Sequence, residues 1–335
     1  MRRRQLARTS RIIATAVWVF ALLVGLSGCG LLGGSDSSAA SSDSQVERST
    51  IKIAIMPTID LAPFHLAVKN GYFKAEGLNV EFSNAPSGTA SVAKLVAGEV
   101  DIAYSSYTPF FVAKSKNAAD IKLVADASSA GPRSTMVLAM PDSPVKTIKD
   151  MAGKRVAVTA QGTISDLMTM STLKTHQVDY KTIKWVTMPF PDTAPRLQRK
   201  EVDAAFLTEP FITQAEKSVG AITIFDTATG PTADFPTAGY GSVAKFVQEN
   251  PKTVAAFQRA MLKATNEAVD RSKIEPLMVE FAKIDKETAA ITNLLTFKST
   301  LDASRIQRVP DLMLEFEVIK ERIDAAQMIV EFAGK

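Results

Sequence analysis

The chain is poor in the residues that carry metal and thiol chemistry. Its 335 residues hold two histidines, His65 and His176, and one cysteine, Cys29. Two histidines and a single thiol at no ligand-like spacing make no zinc-type cluster, and one cysteine can close no internal disulfide. No G-x-S-x-G elbow, P-loop or G-x-G-x-x-G follows a predicted strand, so the usual signatures of acyl, phosphoryl and hydride transfer are missing. The glycines of "AGYGSVA" lead into a strand, and nothing in the sequence pairs two carboxylates. Neither catalysis nor a cofactor or metal is expected. Apolar runs are scarce as well. The one long run, Ile12 to Leu26, is too short to span a bilayer comfortably.

Charge of one sign is also missing once the chain is divided. There are 39 Lys and Arg against 35 Asp and Glu; five arginines precede Cys29, leaving 34 against 35, or −1. A near-neutral body gives no footprint for nucleic acid.

The first stretch with a positive content is "LVGLSGCGLLGGSDSSAASSDS", residues 23–44. Arg2, Arg3, Arg4, Arg8 and Arg11, followed by the apolar run, fit a secretory signal over residues 1–28. Leu26-Ser27-Gly28-Cys29 resembles a bacterial lipobox, which makes Cys29 a lipidation site and an anchor to the outer side of a membrane. The Ser- and Gly-rich segment within residues 29–49 reads as a flexible spacer.

The remainder alternates strand and helix, and does so twice. "IKIAIM" (51–56), a helix over 63–76, "NVEFSN" (79–84), a helix over 88–99, and "VDIAYSS" (100–106) are followed by strands at 121–126 and 134–140. The order recurs as "KRVAVT" (154–159), a helix over 164–174, "IKWVTM" (183–188), a helix near 195, "AITIFD" (221–226) and "GYGSVA" (239–244). "AKLVAGEVDIAY" (93–104) aligns with "PRLQRKEVDAAF" (195–206) at an offset of 102, pairing Asp101 with Asp203 in a turn-capping role. The fold class expected is α/β, with two lobes, each a mainly parallel sheet flanked by helices. Lobe one would comprise 50–138 plus 240–335, and lobe two 139–239. Crossing strands near 137–142 and 236–242 would act as a hinge. The tail is expected to be helical, with Asn250 capping a helix that starts at Pro251 and further helices near 286–297 and 309–332.

Open α/β sheets bind ligands beyond the carboxyl ends of their strands. In lobe one that rule selects Asp60, Phe64, Ser87, Gly88, Thr89, Ser105, Ser106 and Tyr107, with Arg133 before the crossing strand. In lobe two it selects Gln161, Gly162, Thr163 and Glu209. Helix starts rich in Ser, Thr and Gly suit an anion, whereas Asp60 and Glu209 call for a donor. A solute of mixed polarity, such as taurine or an aminopyrimidine, is expected ahead of nitrate or a plain alkanesulfonate, with Glu209 as its partner in lobe two. Ser87 and Thr163 also read as ordinary helix caps, and His65 as a structural residue.

"LAPFHLAVKNGYFKAEGLNVEF", "GEVDIAYSS", "DSPVKTIKDMAGKRVAV" and "EVDAAFLTEPF" resemble the solute-binding proteins of ABC importers, in the group that handles sulfonates, taurine, nitrate and the thiamine-precursor pyrimidine. The resemblance covers roughly 50–320. It implies a type II periplasmic-binding fold that closes on a small molecule, a monomer, and importer permease subunits as partners. Related eukaryotic pyrimidine synthases share the fold but use clustered histidines, which this chain lacks. A sensor or enzyme on the same fold is the alternative.

The lipobox resemblance is directly testable. Cys29→Ala should fold normally but move from the detergent phase to the aqueous phase on detergent partitioning; wild-type protein found in the aqueous phase refutes the anchor.

Overall fold

The computed structural model describes residues 45–332; the expected signal, Cys29 and most of the spacer lie outside them. Two mixed sheets divide the described chain. In the first, the spatial order is β11 (Thr296–Phe297), β4 (Ile121–Ser129), β10 (Pro236–Val243), β3 (Ile102–Ser106), β1 (Thr50–Ile55) and β2 (Asn79–Asn84). In the second it is β7 (Lys184–Thr187), β6 (Arg155–Val158), β8 (Ala204–Thr208), β5 (Thr135–Ala139) and β9 (Ile222–Asp226). Helices α1 (Ala62–Lys69), α2 (Tyr72–Ala75), α3 (Gly88–Val96) and α4 (Tyr107–Ser115) follow strands of the first sheet. Helices α5 (Ile164–Thr175), α6 (Phe190–Gln198) and α7 (Phe211–Val219) follow those of the second. The tail adds α8 (Ala244–Glu249), α9 (Pro251–Glu267), α10 (Arg271–Phe281), α11 (Lys286–Ile291) and α12 (Ala303–Glu315).

Strand composition matches strand position. Central β8, AAFLT, is buried at every residue and β3 at four of five, whereas edge strand β2 is mostly exposed. Strands covered on both faces read as continuous apolar runs and edges do not. Helix α5 is buried from Ser165 to Leu173 despite its hydroxyls. Those of Thr169 and Thr172 donate to the carbonyls of Ser165 and Met168 at 2.6 and 2.9 Å, so burial leaves neither group unpaired.

Parallel pairs β1–β2, β1–β3, β6–β7 and β6–β8 run through both halves, and the internal repeat extends to its hydrogen bonds. The Asp101 carboxylate accepts from the Lys52 amide at 2.8 Å and pairs with Arg48. The Asp203 carboxylate accepts from the Arg155 amide at 2.8 Å and pairs with the Arg155 guanidinium. Asp101 thus pins β1, and Asp203 pins the start of β6.

Several boundaries differ from expectation. The strand at 135–139 belongs wholly to the second sheet, antiparallel to β8 and β9, and β10 belongs to the first, antiparallel to β3 and β4. The chain therefore passes between sheets at 130–134 and 227–235, ahead of these strands rather than within them. There the two connections touch, the Ala130 amide donating to the Phe235 carbonyl at 2.8 Å. The helix expected over 63–76 breaks after Lys69, because Gly71 takes a left-handed φ of 71°. In the tail, 286–297 divides into α11 and strand β11, and the last long helix runs over α12 rather than 309–332. Asn250 makes no side-chain cap. Glu47, placed in the spacer by sequence, accepts from the amides of Lys252 and Thr253 at 3.0 and 2.8 Å and caps α9 from 205 residues away.

Helix α4 lies on β10 at two glycines. A Cβ at Gly239 would stand 2.7 Å from the Tyr107 hydroxyl, and one at Gly241 2.5 Å from the Phe110 ring, which is fully buried. Because that ring cannot swing aside, Gly241→Ala should cost about 1–3 kcal/mol. A denaturant midpoint equal to wild type would contradict this packing.

Candidate functional site: a hydroxyl-lined cleft between the sheets

β1, β3, β6 and β8 deliver their carboxyl ends to one gap, and the antiparallel β5 and β10 bring their starts there. It is lined from the first sheet's side by Met56, Thr58, Asp60, Gly88, Tyr104, Ser106, Thr237, Ala238 and Leu295. From the second sheet's side come Ser134, Thr135, Thr159, Thr163, Ile164, Ser165, Phe190, Phe206 and Thr208. Hydroxyls and apolar carbon share the wall.

Asp60 lies in the short turn after β1 and is 6% exposed. Ser128 donates to its Oδ2 at 2.6 Å, and Ser128 and Thr237 share a second hydrogen bond of 2.6 Å. Burial pushes the Asp60 carboxyl above the usual range, an effect that the hydroxyls of Ser128, Tyr104 and Thr58 oppose. The Tyr240 hydroxyl, buried without a hydrogen-bond partner, is close enough to feel its charge.

At the opposite wall, Thr163 and Asp166 form a capping box on α5. The Asp166 carboxylate accepts from the amides of Gly162 and Thr163 at 2.7 and 2.9 Å. Burial nevertheless lifts its pKa to about 6.

Of the residues selected from sequence, Asp60, Gly88, Ser106 and Thr163 line the cleft. The others are engaged elsewhere. Phe64 is core, in ring contact with Phe73, Phe82 and Tyr240. Ser87 caps α3 by accepting from the Ala90 amide, and Thr89 faces solvent. Ser105 is fully buried against Gly88. Tyr107 donates to Asp126 at 2.7 Å, and Asp126 is in turn ion-paired with Arg305. Gln161 is exposed, and the Gly162 amide is taken by Asp166. Arg133 is exposed at the first crossing, its guanidinium 3.8 Å from Glu216 and its amide bonded to Asp226.

Glu209 is the largest correction. It is fully buried, and its carboxylate accepts from the amide and hydroxyl of Thr213 and from the amide and side chain of Asn293. Its carbonyl takes the Ile59 amide at 3.2 Å. Glu209 joins the second sheet's loop to segments of the first rather than facing the cleft.

Sequence reasoning missed Ser134, Thr135, Thr237 and Ala238. They open β5 and β10, the exchanged strands, and a crossing placed a few residues earlier would have found them. Met56, Tyr104, Thr159 and Phe206 lie on or just beyond strands, where nothing local distinguishes cleft from core. His65, held to a pKa of about 4 by burial, stacks on Phe281 with ring centres 4.2 Å apart, outside the cleft. No group of three or more His, Cys, Asp or Glu among the described residues could hold a metal.

A family model described as "NMT1/THI5 like" matches residues 58–273. The chain is 30% identical over 225 residues to an ABC transporter periplasmic binding protein of Brachyspira hyodysenteriae, covering 62% of this chain and 60% of that one. It is 26% identical over 196 residues to the taurine-binding periplasmic protein of Escherichia coli K12, covering 58% and 59%. The matches thus span about three fifths of these curated relatives. Among solved structures, the alkanesulfonate-binding protein SsuA of Xanthomonas axonopodis pv. citri, bound to MOPS, superposes with a TM-score of 0.73 at 15% identity, over 85% of this chain and 99% of that one. The nitrate-binding protein NrtA of Synechocystis gives 0.72 at 16% identity, over 85% and 86%. At such identities the likeness is one of fold.

The Asp60 carboxyl predicts a pH signature. A folded pKa above the unfolded one means that the folded state holds the proton more tightly, so its stability falls as pH rises between the two values. Asp60→Asn should therefore raise the melting temperature at pH 7, by about 2–4 °C per kcal/mol for a chain of this size. The gain should fade below roughly pH 4, the ordinary aspartate range. A variant that melts lower than wild type at pH 7 refutes this reading.

Proposed function

The chain belongs to the NMT1/THI5-like family, and from that premise we propose that it is an extracytoplasmic solute-binding protein. It captures a small polar organic molecule between two lobes and hands it to the permease of an ABC importer. The observation that carries this reading is the cleft: hydroxyls and apolar side chains from both sheets converge on one gap at the carboxyl ends of β1, β3, β6 and β8. Relatives named for taurine, alkanesulfonate and nitrate binding support a small polar ligand. The lining has hydroxyls to orient a solute and one carboxylate, with no nucleophile–base pair for turnover.

The working form is a monomer tethered to the membrane through lipid on Cys29. Lobe one comprises the first sheet and the tail, lobe two the second sheet, and the paired connections at 130–134 and 227–235 serve as the hinge. Asp60, Gly88, Ser106 and Thr163 contact the solute along with the other cleft hydroxyls.

The test is capture without turnover. A matching solute at 100 times its dissociation constant should stabilise the protein by about 2.7 kcal/mol, should shrink the radius of gyration in solution scattering, and should be recovered chemically unchanged. A solute recovered as a different compound would move the protein to the enzyme class. Binding with an unchanged scattering profile would count against lobe closure.

A further inference from the structure

The electrostatics of the cleft are one-sided. No Lys, Arg or His is among the described residues that line it, and its one carboxylate is Asp60. Of the other buried carboxylates, Asp126 has the Arg305 guanidinium, while Asp166 is held by two helix-start amides and Glu209 by four neutral donors. Asp60 has hydroxyls and a backbone amide but no cation, and is the member of this group that faces the gap. A buried carboxylate without a counter-charge is costly to hold ionised.

The helix start across the gap supplies no compensation. The amides of Gly162 and Thr163 point at Asp166 rather than into free space, so a second negative group answers the dipole of α5. At the start of α3 the Ala90 amide is taken by Ser87. Arg133, the one cation among the residues selected from sequence, sits outside against Glu216. Three aromatic residues, Tyr104, Phe190 and Phe206, contribute to the wall, a setting that suits a cation better than an anion.

Resting on the solute-binding reading above, we infer that the ligand is a small organic cation whose ammonium or equivalent group pairs with Asp60, and that the site rejects sulfonates, nitrate and other net anions. The cationic head meets the Asp60 carboxylate in lobe one. The carbon body lies along Met56, Phe190, Phe206 and Leu295, and any polar tail reaches the hydroxyls of Thr159, Thr163 and Thr208. Taurine falls in rank, because its sulfonate finds no positive partner.

Matched triplets test this: for each of several aliphatic and aromatic skeletons, the ammonium compound, the zwitterion and the sulfonate or carboxylate are compared by thermal shift and calorimetry at millimolar concentration. The ammonium member should bind best and the anion not at all. Asp60→Asn, first shown to be folded by its melting curve, should weaken the cation by about ten- to a hundredfold. Arg133→Ala should leave its affinity unchanged. If an anion or zwitterion leads its triplet, or if Asp60→Asn binds the cation as tightly as wild type, the charge assignment is wrong while solute binding stands. If no member of any class binds, both readings fall.

Discussion

Parallel pairing is the constraint from which the site follows, because strands that run the same way end on the same side and need a helix to return. β1 and β3 in one sheet and β6 and β8 in the other place their carboxyl ends at one gap. Each return helix begins there and brings its capping residues with it. Thr163 caps a helix and also lines the gap.

Buried charge shows where the fold invests in stability and where it gives some up. The part-exposed Asp101 and Asp203 hold β1 and β6, and the buried Glu209 ties the second sheet's loop to Asn293 and Ile59. These carboxylates are surrounded by backbone and side-chain donors. Asp60 is set among hydroxyls beside an open space. A group that destabilises the free protein and faces a cleft fits a binding role, since its missing partner can arrive with the ligand.

The alternation of strand and helix, the internal repeat and the strand-end location of the site were legible in sequence, because apolar periodicity and helix punctuation are local signals. Helix ends in the tail were not: no residue near Thr296 announces a two-residue strand that exists only by pairing with Ser128 and Ser129. The separation of cleft from cap was hidden for the same reason. Asp60 and Glu209 look alike as carboxylates after a strand, and Asn293, which occupies Glu209, lies 84 residues away. Asp101 and Asp203 were legible as a matched pair, but instead of capping turns they accept from the amides of Lys52 and Arg155 on a neighbouring strand.

The exchange of β5 and β10 between sheets also sets an order of assembly. β10 fills the space between β3 and β4, yet it is reached only after the whole second sheet has been traversed. Until residue 243 is available, the first half of the chain has strands whose central partner has not arrived, with backbone donors and acceptors exposed at both lips of the gap. Contacts of such long sequence separation form slowly, and an unfinished sheet is open to wrong partners in the meantime. The second sheet needs nothing beyond β9 and can be complete first. The sheet that begins the chain is therefore the one that must wait for a strand made after the other sheet.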